Sequence, residues 1–152
     1  MSESVSKIDG FGTRRTVVVN FEERLRYARF YVAEAISKGD VVAIDVATST
    51  YGYGNSVKKA ESDVLPVSCP IGVATSDVAI GQIGEIQVGG LCDFAKLLDL
   101  NDEPGELLGS STTGGQMTVM AADKVLPCAI LVVEGTATVA DSTVFLINPA
   151  NL

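Results

Sequence analysis

The apolar residues of this chain come in short runs that glycine-rich polar turns separate. Runs of roughly four to eight residues, rich in β-branched side chains, are typical of strands. We predict strands at residues 14–19, 28–36, 41–46, 57–60, 71–75, 83–88, 106–109, 116–120, 128–134 and 143–147. A bend at Gly89-Gly90 precedes a further extended segment to residue 97, and Asn20 with Glu23 predicts a helical turn near 21–26. The pattern therefore predicts a mainly β fold, a compact antiparallel β-barrel or sandwich of short strands with a short helix.

The same sequence pattern occurs twice along the chain. Val-Leu-Pro at 64–66 recurs at 125–127, and Gly-Asp-Val-Val at 39–42 has a counterpart in Gly-Glu-Leu-Leu at 105–108. Internal duplication of this kind predicts one strand-built unit used twice. We expect pseudo-repeats at about 36–90 and 105–149 within a single β-rich domain, 14–152, that follows a flexible N-terminal arm, 1–13. The repeated positions are turn glycines, prolines and apolar residues, which favours packing over chemistry.

Composition narrows the class of protein. The chain has 152 residues, of which 47% are apolar, enough for a single domain with a core. No apolar run approaches the ~20 residues that a membrane helix needs. The first residues are polar and lack the apolar stretch of a secretory signal, so we expect synthesis in the cytoplasm and no membrane partner.

The charge argues against nucleic acid as a partner. The formal net charge is −8, whereas phosphate binding needs a basic stripe. The basic residues cluster at Arg14 and Arg15 and at residues 24–29. An acidic body with a basic edge would suit docking onto an acidic protein surface. Ordinary surface charge on a soluble domain explains the same distribution.

The sequence offers little catalytic chemistry. It has no histidine, which excludes Ser-His and Cys-His nucleophiles. Cys69, Cys92 and Cys128 are widely spaced, so we expect small buried apolar residues, Cys69 and Cys128 at equivalent places in the repeat. The acidic loop 99–106 lacks the glycine and glutamate of an EF-hand. We predict no enzyme and no catalytic, cofactor-binding or metal-ligating residue.

Five segments of the sequence resemble motifs of one known protein family. Residues 33–43, 70–74, 81–90 and 105–111 and the final strand to Pro149 resemble turn and strand motifs of the phage capsid cement, or head decoration, proteins. The resemblance covers about residue 28 to the C-terminus. The chain departs from the family where members have glycine, at Val32-Ala33 and at Leu131-Val132.

The resemblance implies a virion structural protein without a cofactor. Similar proteins form β-rich homotrimers on the outer surface of the expanded icosahedral head, where they bridge neighbouring major capsid subunits. The implied partners are therefore the major capsid protein and further copies of this chain. Within this hypothesis we expect the arm to contact the capsid, with Ile8 and Phe11 as apolar anchors and Arg14 and Arg15 paired with shell carboxylates.

A second hypothesis rests on two exposed aromatic residues. Tyr51 and Tyr53 lie in a long glycine-rich loop, 47–56. Such residues stack on sugars or bases, although more often they pack on a neighbouring subunit or on their own barrel rim. The alternative is therefore a small-ligand or glycan-binding β module, such as a head-fibre or receptor-facing virion protein.

Overall fold

The fold is built from β-strands. The computed structural model describes residues 25–64, 67–99, 102–120, 127–133, 135 and 142–147. Within these ranges there is no α-helix, and no helix is long and apolar enough to cross a membrane. The mainly β prediction is confirmed. The strands are β1 (Arg26–Val32), β2 (Val41–Ile44), β3 (Ser56–Lys59), β4 (Pro70–Ala74), β5 (Ile83–Ala95), β6 (Leu107–Ser110), β7 (Met117–Val119), β8 (Ala129–Val133) and β9 (Ser142–Leu146).

The first five strands close into a barrel. Their order is β1-β3-β2-β4-β5, and β5 pairs back onto β1, which leaves no free edge in this ring. The pairs are antiparallel except β1 with β3, which is parallel at Tyr31–Ser56 and Val32–Val57. We call this ring the first barrel.

The last four strands form a second ring on the far half of β5. The order continues as β5-β9-β8-β6-β7, with residues 90–95 of β5 paired to β9. Residues 96–98 then close the ring against β7: Met117 N–H donates to Lys96 O at 2.9 Å, and Leu98 N–H donates to Met117 O at 2.8 Å. We call this ring the second barrel. Strand β5 therefore serves both barrels.

The two barrels repeat one plan, as the duplicated sequence predicts. The order of β3-β2-β4-β5 matches that of β7-β6-β8-β9. The Gly-acid turn is also the same: Asp40 accepts the Ser37 N–H at 2.7 Å, and Glu106 accepts the Glu103 N–H at 2.6 Å. When the two barrels are matched by their strand pairing, five pairs of equivalent positions are fully or nearly fully buried in both: Val32/Leu97, Val42/Leu108, Val57/Met117, Ala74/Leu131 and Ile86/Val144.

Two apolar clusters fill the molecule. The smaller lies inside the first barrel and includes Val42 and Ile86. The larger contains the core of the second barrel together with Val41, Ala43 and Val73, which alternate with inward residues and so point outward from the first barrel. The second barrel therefore packs on the outer wall of the first.

Several predicted strand ends are wrong. The strand predicted at 28–36 ends at Val32, and Ile36 makes only an isolated bridge to Val78. The strand predicted at 41–46 ends at Ile44, because the Asp45 side chain accepts N–H groups of the following turn. At Gly89-Gly90 the chain stays in strand, with φ of 89° at Gly90, and only its partners change.

Other predictions fall outside the described residues. These are the arm, 1–13, with Ile8 and Phe11, the strand at 14–19 with Arg14 and Arg15, and residues 21–24 of the helical turn. Arg26, at the end of that turn, lies in β1.

Candidate functional site

An exposed aromatic and apolar surface lies at one end of the first barrel. We call it the tyrosine surface and define it as Tyr31, Tyr51, Tyr53, Ile80 and Ile83. All are exposed except Tyr51, which is half-buried, in contrast to the exposure that the sequence predicts for it. The rings of Tyr31 and Tyr51 stack, with centroids 4.9 Å apart and planes at 14°. Ile83 pairs with Tyr31 across β5 and β1. Tyr53 is 74% exposed and Ile80 is 63% exposed, although both are large apolar side chains.

The loop that presents these tyrosines is held by local hydrogen bonds. The Asn55 side chain donates to Tyr51 O at 3.1 Å, and Asn55 O accepts the Tyr31 N–H at 3.0 Å. Gly52 and Gly54 have φ angles of 85° and 78°, which residues other than glycine rarely adopt. The loop is therefore tied to β1, and the stack of Tyr51 on Tyr31 follows from that connection.

A buried carboxylate anchors the start of the same loop. Asp45 accepts the Ala47 N–H at 2.9 Å and the Thr48 hydroxyl, and it pairs with Lys58 Nζ at 3.1 Å. Burial raises the pKa of Asp45, but the Thr48, Ala47 and Lys58 interactions outweigh it and hold that pKa below its ordinary value. The loop is thus fixed by an ionised carboxylate.

A second exposed apolar feature crosses four strands of the second barrel. We call it the outer row: Leu107, Ile130, Phe145 and Leu91, which are direct cross-strand neighbours on β6, β8, β9 and β5. Leu107 is 47% exposed, Leu91 is 40% exposed and Phe145 is 36% exposed. Contiguous exposed apolar side chains of this kind are typical of protein contacts.

A groove between the barrels contains a thiol. It has a volume of about 550 Å³, and its lining includes Ser62, Cys69, Leu98 and Met120. Cys69 is exposed, so the prediction that it is buried is wrong, whereas Cys92 and Cys128 are buried as predicted. Burial raises the pKa of the Cys92 thiol to about 11 and that of Cys128 to about 12.

The predicted equivalence of Cys69 and Cys128 is also wrong. Pairing sets Gly72 opposite Val42 and Ala129 opposite Leu108, so Cys128 corresponds to Ile71. More residues separate β3 from β4 than separate β7 from β8, and matching by Val-Leu-Pro therefore sets the strands out of register. Among the described residues, no three His, Cys, Asp or Glu side chains group as metal ligands do.

The sequence identified only part of these surfaces. The predicted Tyr51 and Tyr53 lie in the loop that contributes to the tyrosine surface, and the structure adds Tyr31, which stacks on Tyr51, with Ile80 and Ile83. Alternation could have indicated Tyr31, since residues 27, 29 and 31 all lie on the outward side of β1. The outer row gives no comparable signal, because four separate strands contribute one residue each.

Comparison with known proteins gives a likeness of fold. No protein-family model matches the sequence, and no curated protein matches it. Among solved structures, the N base of head fiber gp8.5 of bacteriophage phi29 is similar, with a TM-score of 0.56 and 13% identity. The likeness covers 82% of this chain and 94% of that chain. At this identity the likeness shows a shared fold.

Proposed function

We propose that this chain is a structural protein of a phage virion. In detail, it acts as a trimeric cement protein that binds the outer surface of the expanded icosahedral head and stabilises contacts between major capsid subunits. The observation that carries the proposal is the fold shared with a head fiber base over 82% of the chain. The capsid-cement motifs of the sequence support the same class of protein.

The surfaces of the molecule fit a role in contact. The tyrosine surface and the outer row expose large apolar side chains, which is the composition of the centre of a protein interface. A trimer that binds neighbouring capsid subunits would contact the assembled shell and not its separated parts. Such a protein stabilises the shell by mass action.

The direct test measures binding to heads. Purified chain is mixed with expanded heads that lack their decoration protein and is sedimented, with unexpanded heads as the control. We expect saturable binding to expanded heads and a rise in their resistance to heat. A chain that sediments equally with both, or with neither, refutes the cement function.

We place the capsid contact on the N-terminal arm. Ile8 and Phe11 would insert as apolar anchors, and Arg14 and Arg15 would pair with shell carboxylates. Deletion of residues 2–13 should weaken head binding at least about tenfold, which corresponds to the loss of ~1.4 kcal/mol, and should leave the oligomer unchanged. Full affinity after the deletion would place the contact elsewhere.

A second candidate is a head-fibre base or a glycan-binding module of the virion. The structural neighbour is a head fiber base and Tyr53 is 74% exposed, and both observations favour this candidate. A glycan array tests this candidate, with Tyr53→Ala as the variant and Tyr27→Ala, at an exposed site outside the tyrosine surface, as the matched control. Binding that only Tyr53→Ala abolishes would support it, and the absence of reproducible binding would dismiss it.

A further inference from the structure

One barrel of this chain already docks on the other. At the junction the β6–β7 loop and Lys96 of the second barrel meet the outer wall of the first. Val41 N–H donates to Gly115 O at 2.9 Å, and Lys96 N–H donates to Gly39 O at 3.2 Å. Lys96 Nζ also lies 2.6 Å from Asp40 Oδ1.

The wall that receives this contact is a cross-strand row. It consists of Val41, Val73 and Gln87, neighbours on β2, β4 and β5, each at most 2% exposed. Val41 and Val73 belong to the same apolar cluster as the core of the second barrel. The second barrel therefore covers this row.

The repeat places a copy of that row on the second barrel. Strand pairing equates Val41 with Leu107, Val73 with Ile130, and Gln87 with Phe145. These are outer-row residues, and within the described part of the chain nothing covers Leu107 or Phe145 to the extent that Val41 and Val73 are covered.

The repeat also places a copy of the docking end on the first barrel. The β6–β7 loop corresponds to the β2–β3 loop, because Ser110–Met117 and Ile44–Val57 are equivalent pairs. Lys96 corresponds to Tyr31, by the parallel bridges at Leu97–Met117 and Val32–Val57. The docking end of the second barrel therefore has its counterpart in Tyr31, Tyr51 and Tyr53 of the tyrosine surface.

We infer that the tyrosine surface of one copy docks on the outer row of a second copy and repeats the contact between barrels. Both halves of the contact are apolar and largely exposed, and both are present on every chain. Tyr31 occupies the position equivalent to Lys96. In the contact between copies, a tyrosine side chain therefore replaces the lysine that pairs with Asp40 within the chain. This contact identifies a second copy of the chain as the partner of both surfaces. It rests on the proposed function, in which the protein is a trimer.

The symmetry of the contact follows from its two different faces. Each copy offers one tyrosine surface and one outer row, so the contact is heterologous and joins copies head to tail. Such a contact closes into a ring when the rotation that relates successive copies is a whole fraction of a full turn, one third for a trimer. Three copies then bury all the surfaces of both kinds.

The test uses two full-length variants that each disable one face. The row variant carries Leu107→Glu and Phe145→Glu, and the tyrosine variant carries Tyr53→Glu and Ile80→Glu. Leu98→Glu is the control, since Leu98 is 46% exposed and lies outside both faces. Light scattering gives the mass, and circular dichroism verifies that each variant folds. If the row variant fails to fold, Leu107→Ser replaces it.

We expect the wild type and Leu98→Glu to be trimers and each double variant to be a monomer. Buried charge at the centre of an interface should weaken association at least about a hundredfold. Mixing the two double variants should give a 1:1 heterodimer and nothing larger, because one intact row meets one intact tyrosine surface. A contact between identical faces cannot give this result.

Three outcomes overturn the inference: a monomeric wild type, double variants that keep the wild-type mass, or a mixture that stays monomeric. Sedimentation with expanded heads separates it from the proposed function. A wild-type trimer that behaves as expected in the mixing experiment but ignores heads refutes the cement function alone. A chain that binds heads while both double variants remain trimers refutes this contact alone.

Discussion

Breaking the ion pair at the junction of the barrels should strongly destabilise the fold. Asp40 is 3% exposed, and its carboxylate accepts the Ser37 N–H at 2.7 Å and contacts Lys96 Nζ at 2.6 Å. Asp40→Asn keeps an oxygen for Ser37 but leaves the mostly buried ammonium without its counter-charge. Removing one partner of a buried pair costs ~3–5 kcal/mol. Because Lys96 keeps some access to water, we expect a loss of about 2–3 kcal/mol.

The repeat supplies a matched control for this substitution. Glu106 occupies the equivalent turn and accepts the Glu103 N–H at 2.6 Å, but in an exposed position. Glu106→Gln should therefore change the free energy of unfolding by no more than about 0.5 kcal/mol, as surface substitutions usually do.

The assay is urea unfolding followed by far-ultraviolet circular dichroism, since the chain has no tryptophan. Protein concentration is held fixed, because association also stabilises the folded state. With a urea slope of ~2 kcal/mol/M, Asp40→Asn should lower the midpoint by about 1–1.5 M. Lys96→Met and the double variant complete a cycle that isolates the pair. Equal losses for Asp40→Asn and Glu106→Gln would refute the assignment.

Three further predictions follow from described contacts. The pKa of Asp45 is lowered in the folded chain, so the stabilising effect of its carboxylate is complete above the unfolded pKa of ~3.9 and is lost as pH falls through the folded pKa. The loss of unfolding free energy caused by Asp45→Asn, measured by urea unfolding, should therefore become smaller below about pH 4. A loss that stays constant down to pH 2 would contradict this. Gly115→Ala should lower the melting temperature more than Gly105→Ala does, because a Cβ at Gly115 would lie 2.8 Å from Asp40 Oδ1 of the junction ion pair. At Gly105 nothing lies within 4 Å of the added Cβ, and only the φ of 95° opposes the substitution. Equal losses of melting temperature would contradict this account of the packing. A thiol reagent at pH 8 should modify Cys69 rapidly in the folded chain and leave the two buried thiols unmodified until unfolding, as mass spectrometry of the labelled peptides would show; rapid labelling of a second cysteine would contradict their burial.

Local features of the fold could be predicted because short-range physics determines them. The turns before Asp40 and Glu106 need a glycine with positive φ and an acid that accepts the N–H three residues earlier, and both requirements are visible in sequence. Alternation and β-branching likewise located eight of the nine described strands near their observed places; the ninth, β5, was divided at Gly89-Gly90.

Features that depend on partners could not be predicted. Gly89-Gly90 favours a bend in isolation, but hydrogen bonds to β1 on one side and β9 on the other keep β5 extended. The exposure of Cys69 depends on the groove between the barrels, and the outer row depends on strands far apart in sequence. Of the candidate surfaces, only the loop with Tyr51 and Tyr53 was visible in the chain.

The sharing of β5 between the barrels has a consequence for how the molecule unfolds. A tandem repeat whose units share no strand can lose one unit while the other persists. Here the single strand β5 closes the first ring through residues 83–89 and belongs to the second ring through residues 90–95. Loss of β5 therefore opens both rings at once. The duplicated halves should consequently melt in a single cooperative transition, and a chain cut within β5 should yield no independently folded half.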